Sequence, residues 1–332
     1  MTGMIASMRA TPNLGLIFLL FGVLQGGDVL ASSQGKSVAL LTTPNQNPFI
    51  GVWNAAFKAA AEKAGMKVTN LTTPYDAALQ AQQVDDAVAR KFDLIVLLPT
   101  NHQAIIPPLM RTRNAGLPIV LIVSPIQDFE DLYVSFIGPD HYELGRLAGE
   151  SLARALHSGG RKGGRVAAIT GSSEQLSTQM RVAGFRDAIG THSDIEIVAV
   201  EDGKWNTALS ERIAAQLLVR FAVRGGLDGI YGMADNQAAG IIQAIEAAGM
   251  KPGLSTEEIV VVGSNCMEEG IRNIRAGKQY STNTQLPTEN GKAAAEHIAR
   301  YFNGEKLEKR EILKADVITQ SNVNRYAEPC TY

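Results

Sequence analysis

From Lys36 onward the chain alternates short apolar, β-branched runs with amphipathic alanine-rich stretches, and that alternation leaves few folds open. Two of the runs, residues 93–98 (DLIVLL) and 118–123 (PIVLIV), carry almost no polar side chain. A strand of that composition must be covered on both faces, as in a parallel sheet with helices above and below. Further strands read at 38–42 and 66–71, with helices at 49–64 and 76–90, where Asp76 can cap the second helix. A second series follows, with strands at 165–170, 195–200, 227–231, 259–262 and 280–284. Its helices read at 179–188, 207–223, 236–248 and 288–301, the last two closed by Gly249 and Gly304. Two similar βα halves predict an α/β protein of two doubly wound parallel-sheet lobes, with short crossovers in place of a long tether.

The N-terminal 31 residues do not share this pattern. Arg9 precedes an apolar run at 14–24 (LGLIFLLFGVL), and Val29-Leu30-Ala31 offers the small residues that a signal peptidase reads. That order predicts a cleaved export signal over residues 1–31, with Ser32 as the first mature residue. The apolar run is too short for a membrane anchor, which needs about 20 residues. The only cysteines, Cys266 and Cys330, lie far from the cleavage site, so the expectation is a free periplasmic protein with no lipid anchor. Two cysteines in an oxidising compartment are candidates to pair. The net charge of −2, with no basic stripe, argues against a nucleic-acid partner.

Enzyme signatures are missing. There is no phosphate loop, since the GGRKGG run at 159–164 precedes a strand, and there is no GxGxxG, GxSxG or HExxH. The five histidines (His102, His141, His157, His192 and His297) are dispersed without ligand spacing and read as surface or cap residues. No metal, cofactor or catalytic set is expected. Ligands of open parallel sheets bind beyond the carboxyl ends of the strands, so the residues there matter most. They include Asn47-Pro48-Phe49, Trp205-Asn206, Asn265 and Gln285. Amides for hydroxyl groups and flat aromatic faces for C–H surfaces are what a sugar requires.

In order and spacing, a longer set of motifs resembles the ribose-binding-protein family of periplasmic binding proteins, relatives of the ligand-binding domains of lactose-type repressors. Its carriers are Asn47-Pro48-Phe49, Leu98-Pro99-Thr100, Gly138-Pro139-Asp140, Arg181 before Gly184-Phe185, Asp235 before Ala238-Ala239-Gly240, and Gln285-Leu286-Pro287. The resemblance implies a ligand cleft between lobes joined by a three-segment hinge. It divides the chain into an N-terminal lobe of 36–138 plus 286–315 and a C-terminal lobe of 139–285 plus 316–332. It implies ligand contacts from Thr43, Asn47, Phe49, Ile50, Ser124, Arg181, Trp205, Asp235, Asn265 and Gln285. It also places the strand before Cys266 and the C-terminal tail on one lobe, which makes a Cys266–Cys330 disulfide feasible. The implied function is that of a monomer that captures a sugar or polyol and hands it to an ABC permease at the inner membrane. Sensing for a chemoreceptor or sensor kinase is the alternative, as is a nucleoside as ligand. Leu98, Val123-Ser124, Ala234 and Asn265 depart from the ribose pattern, which has polar or acidic residues there. A ligand with fewer or differently placed hydroxyls than ribopyranose is therefore expected.

Overall fold

The computed structural model describes residues 1–3 and 33–332, and the export signal's apolar run and cleavage site lie outside the described residues. The first series comprises β1 (Ser37–Thr42), α1 (Pro48–Lys63), β2 (Lys67–Thr72), α2 (Ala77–Ala89), β3 (Leu94–Leu97), α3 (Ile106–Asn114), β4 (Ile119–Ile122) and β5 (Ser135–Pro139). The second runs α4 (His141–Ser158), β6 (Gly164–Thr170), α5 (Leu176–Gly190), β7 (Ile195–Asp202), α6 (Thr207–Ala222), β8 (Gly229–Gly232), α7 (Asp235–Ala247), β9 (Val260–Val262), α8 (Glu268–Arg275) and β10 (Ser281–Asn283). The chain ends with α9 (Pro287–Phe302), β11 (Arg310–Leu313), β12 (Val317–Thr319) and α10 (Val323–Tyr326).

These strands form two six-stranded sheets, β11-β5-β4-β3-β1-β2 and β12-β10-β9-β8-β6-β7. Each sheet is the core of one α/β lobe. The first is parallel throughout; in the second only β12 runs antiparallel, against β10. The chain passes between sheets after β5, after β10, and between β11 and β12.

Packing follows from the strand composition. Leu94 and Val96 of β3 face α1 and α9, meeting Trp53, Phe57 and Ile298, while Ile95 and Leu97 face α2 and α3, meeting Val84 and Leu109. All four β3 residues are fully buried, because successive side chains point to opposite faces and both faces are covered. In the second lobe α4 and α5 cover one face and α6 and α7 the other. Gly249 and Gly304 take positive φ angles just past α7 and α9, as helix-closing glycines do.

Several elements carry too weak a periodic signal to be read in advance. β5 contains glycine and proline, β11 (REIL) is an exposed edge, and β12 is a three-residue strand that exists only through its pairing with β10. The α5 helix also begins earlier than its pattern suggests, at Leu176, which brings Ser177 to the cleft.

Candidate functional site

In each sheet the next two strands in chain order lie on either side of the lobe's first strand, the arrangement β2-β1-β3 in one lobe and β7-β6-β8 in the other. Where the winding reverses, the carboxyl ends of neighbouring strands splay apart and leave a crevice. The crevices of the two lobes face each other across one pocket with an empty volume of about 480 Å³, part of it open to solvent. Thr43 and Asn47 follow β1, Tyr75 follows β2, Leu98 follows β3 and Val123 follows β4. From the second lobe come Gln175 and Ser177 after β6, Trp205 after β7, Ala234 and Asn236 after β8, Asn265 after β9 and Gln285 after β10.

Arg181, from the second turn of α5, is the organising group. It is 2% exposed and is the one cationic side chain among the described residues that line the pocket. Its Nη1 donates to the Met233 carbonyl (2.8 Å) and to Asn265 Oδ1 (3.1 Å), and its Nη2 to Gln285 Oε1 (2.6 Å). The Nε donates to His141 Nδ1 at 3.1 Å. That bond requires the His141 proton to sit on Nε2, which donates to the Val123 carbonyl. Burial, reinforced by the Arg181 charge, pushes the His141 pKa down to about 3, so the imidazole stays a neutral acceptor. A buried guanidinium held by four neutral acceptors is rigid, and it orients the two amides that flank it.

The pocket walls are flat and apolar on two sides. Phe49 and Ile50 lie on the first turn of α1, whose start is fixed by Pro48 and by the Asn47 side chain accepting from the Ile50 amide. Opposite them, Trp205 spans Gly171, where a Cβ would sit 1.9 Å from the indole. Its Nε1 donates to Gln175 Oε1 at 2.7 Å, and the Arg181 guanidinium lies 5.5 Å from the ring centre. Tyr75, Val123, Trp205 and Asn265 all have φ between 56° and 88°, the left-handed region that side chains avoid. For β-branched Val123 this conformation is especially costly, and such strain concentrates where side chains must be aimed at a site.

The two lobes touch beside the pocket. Ser177 N donates to Ser124 Oγ (3.3 Å), Gln175 Nε2 to the Pro99 carbonyl (3.2 Å), and His102 N to the Glu174 carbonyl (3.2 Å).

A family profile described as a periplasmic binding protein domain matches residues 38–306. The chain belongs to that family. Among curated relatives, the ribose import binding protein of Haemophilus influenzae is 22% identical over 306 residues, spanning 92% of this chain and 99% of that one. The D-apiose import binding protein of Paraburkholderia graminis is 25% identical over 295 residues, with 87% and 88% covered. The crystal structure of a galactofuranose binding protein superimposes with a TM-score of 0.82 at 21% identity, covering 88% of this chain and 97% of the other. These relatives are binding proteins, not enzymes.

Within this periplasmic binding protein, the structure gathers Thr43, Asn47, Phe49, Ile50, Arg181, Trp205, Asn265 and Gln285 at one pocket. It does not bring Ser124 or Asp235 there. Ser124 is spent on the contact between lobes. Asp235 is wholly buried behind the site, where its carboxylate accepts from Met267 N (2.9 Å), Thr282 Oγ1 (2.8 Å) and Gln279 Nε2 (2.7 Å). Gly263 and Gly270 leave the room it occupies, since a Cβ on either would lie within 2.4 Å of the carboxyl. Asp235 therefore positions the segment that carries Asn265 and does not reach the cleft. Asn206 likewise serves as a cap, accepting from Leu209 N at 2.8 Å.

Reading the histidines as surface or cap residues needs correction as well. His141 and His297 are fully buried and hydrogen-bonded in the interior, and His102 is nearly so. Tyr75, His141 and Ser177 line the pocket without a signal in the sequence, whereas Gln175 and Asn236 close the stretches 171–175 and 234–236 that follow expected strands. Position after a strand was the one available signal for these two. The structure also joins Cys266 to Cys330, with Cα atoms 5.1 Å apart, and Tyr332 OH donates to the Asn265 carbonyl. The tail is thereby fastened behind a pocket residue.

Proposed function

We propose that this protein is exported to the periplasm, captures a sugar or polyol between its lobes, and delivers it to an ABC importer. The observation that carries this reading is the convergence of Phe49 and Trp205 with the Asn47, Asn265 and Gln285 amides around a rigid guanidinium. Aromatic faces cover the C–H surface of a sugar while amides and the guanidinium hydrogen-bond its hydroxyls. In the proposed mechanism the lobes, 36–138 plus 286–315 and 139–285 plus 316–332, open about the three crossovers and close on the ligand. The contacts of Ser124, Gln175 and His102 between lobes belong to the closed arrangement.

Leu98, Val123 and Ala234 give part of the wall no hydrogen-bonding side chain. A hydroxyl buried against them without a partner costs about 1–3 kcal/mol. The ligand proposed is a compact neutral carbohydrate other than ribopyranose, such as a furanose, a branched sugar, a deoxy sugar or a short polyol. The galactofuranose and D-apiose named for two of the relatives are in keeping with that class. A thermal-shift screen of the mature protein against sugars, polyols and nucleosides tests it. Hits among furanoses, branched sugars or polyols, with lowered radius of gyration on binding, are expected. Submicromolar binding of D-ribose would overturn the ligand class, and hits confined to nucleosides would overturn the carbohydrate assignment.

A further inference from the structure

We propose that His157, His192 and Asp194 form a binding site for a divalent transition-metal ion, zinc in particular, on the second lobe away from the cleft. His157 lies in the last turn of α4, while His192 and Asp194 lie in the turn between α5 and β7. Their ligand atoms, two imidazole nitrogens and one carboxylate oxygen, all fall within 4.8 Å of one another. His157 Nε2 stands 2.8 Å from Asp194 Oδ2, and the two imidazole rings are 5.4 Å apart and tilted by 56°.

Tetrahedral zinc, with bonds of about 2.0–2.2 Å, sets its ligands roughly 3.3 Å apart. The hydrogen-bonded pair must therefore open slightly and the widest separation close by at most about 1.5 Å. Side-chain rotation accomplishes both, because His157 and Asp194 are each 38% exposed. The backbones beneath them need not move. Helices α4 and α5 are in tight contact, with Gly145 and Gly184 each leaving no room for a Cβ, which would lie 2.0 Å from a carbonyl of the facing helix. The turn is held by His192 N to the Ile189 carbonyl (2.9 Å), Ile195 N to the His192 carbonyl (3.1 Å) and Gly164 N to the Asp194 carbonyl (3.0 Å).

Two imidazoles with one carboxylate select zinc, nickel or copper over calcium and magnesium, which prefer oxygen alone. Three protein ligands leave a coordination position for water or for a side chain of another molecule. The site is remote from the pocket: His157 follows His141 along α4 by a path of about 24 Å at 1.5 Å per residue. Zinc here would brace the end of α4 against the α5–β7 turn without entering the ligand cleft.

Calorimetric titration of the untagged protein with zinc chloride, and separately with calcium chloride, tests the site. One zinc per chain is expected, with no response to calcium, and His157→Ala and His192→Ala should each weaken binding at least tenfold. Zinc should also protect both imidazoles of the wild-type protein from diethylpyrocarbonate, read by mass spectrometry, which locates the ion without any substitution. Absence of saturable zinc binding, binding that survives both substitutions, or unchanged modification of His157 and His192 would each overturn the proposal.

Discussion

Asp235 makes stability depend on pH in a direction opposite to that of most carboxylates. Burial pushes its pKa up from 3.8 to about 7, against the three hydrogen bonds from Met267, Thr282 and Gln279 that favour the ionised form. Between those two values the folded protein holds a proton that the unfolded chain has released. Unfolding free energy therefore falls as pH rises across this window. The contribution is fully present below about pH 4 and lost as pH climbs through about 7. At 1.36 kcal/mol per pH unit, the difference between 3.8 and about 7 corresponds to about 4 kcal/mol. Other carboxylates, such as Asp93 and Glu143, have lowered values and oppose this trend, so the wild-type curve alone does not isolate it. The Asp235→Asn variant does. It forfeits an acceptor and has a fixed cost at every pH, but it removes the titration. Urea unfolding of both proteins from pH 4 to pH 8 should show the wild type losing about 4 kcal/mol relative to the variant as pH rises. Parallel curves for the two proteins would refute the account of Asp235 as a buried, reluctant anion.

Trp205→Ala should weaken ligand binding by about 2 kcal/mol, roughly 30-fold, in a calorimetric titration. Its effect on stability without ligand should stay below the ~3–5 kcal/mol typical of a core aromatic, because the indole is only half-buried. Cys330→Ser should cost about 4 kcal/mol in chemical denaturation, since the crosslink spans 64 residues, and unchanged stability would show that the closed loop contributes nothing. Ser124→Ala, which deletes a contact between lobes of the closed arrangement, should weaken ligand binding in a calorimetric titration while leaving the unliganded radius of gyration in solution scattering unchanged. Protein recovered from the periplasm should begin near Ser32 by mass spectrometry, and retention of residues 14–24 would rule out a cleaved signal.

The sequence by itself determined the two-lobed α/β architecture, because runs such as 93–98 and 118–123 admit only strands covered on both faces, and helical periodicity fills the gaps between them. It also pointed to the pocket, since residues just after strands in a doubly wound sheet must converge on the crevice, and Asn47, Trp205, Asn265 and Gln285 all lie there. Tertiary structure alone decided what each polar group does on arrival. Asp235 and Asn265 both follow strands, yet one faces the interior behind β9 and the other the cleft, a distinction set by which way each loop turns. His141 and Arg181 stand forty residues apart and become one hydrogen-bonded unit only when α4 packs against α5. The same helix pairing assembles His157 with His192 and Asp194 from separate segments. Local sequence encodes periodicity and propensity, whereas hydrogen bonding between distant segments depends on distances that exist only after the layers have packed.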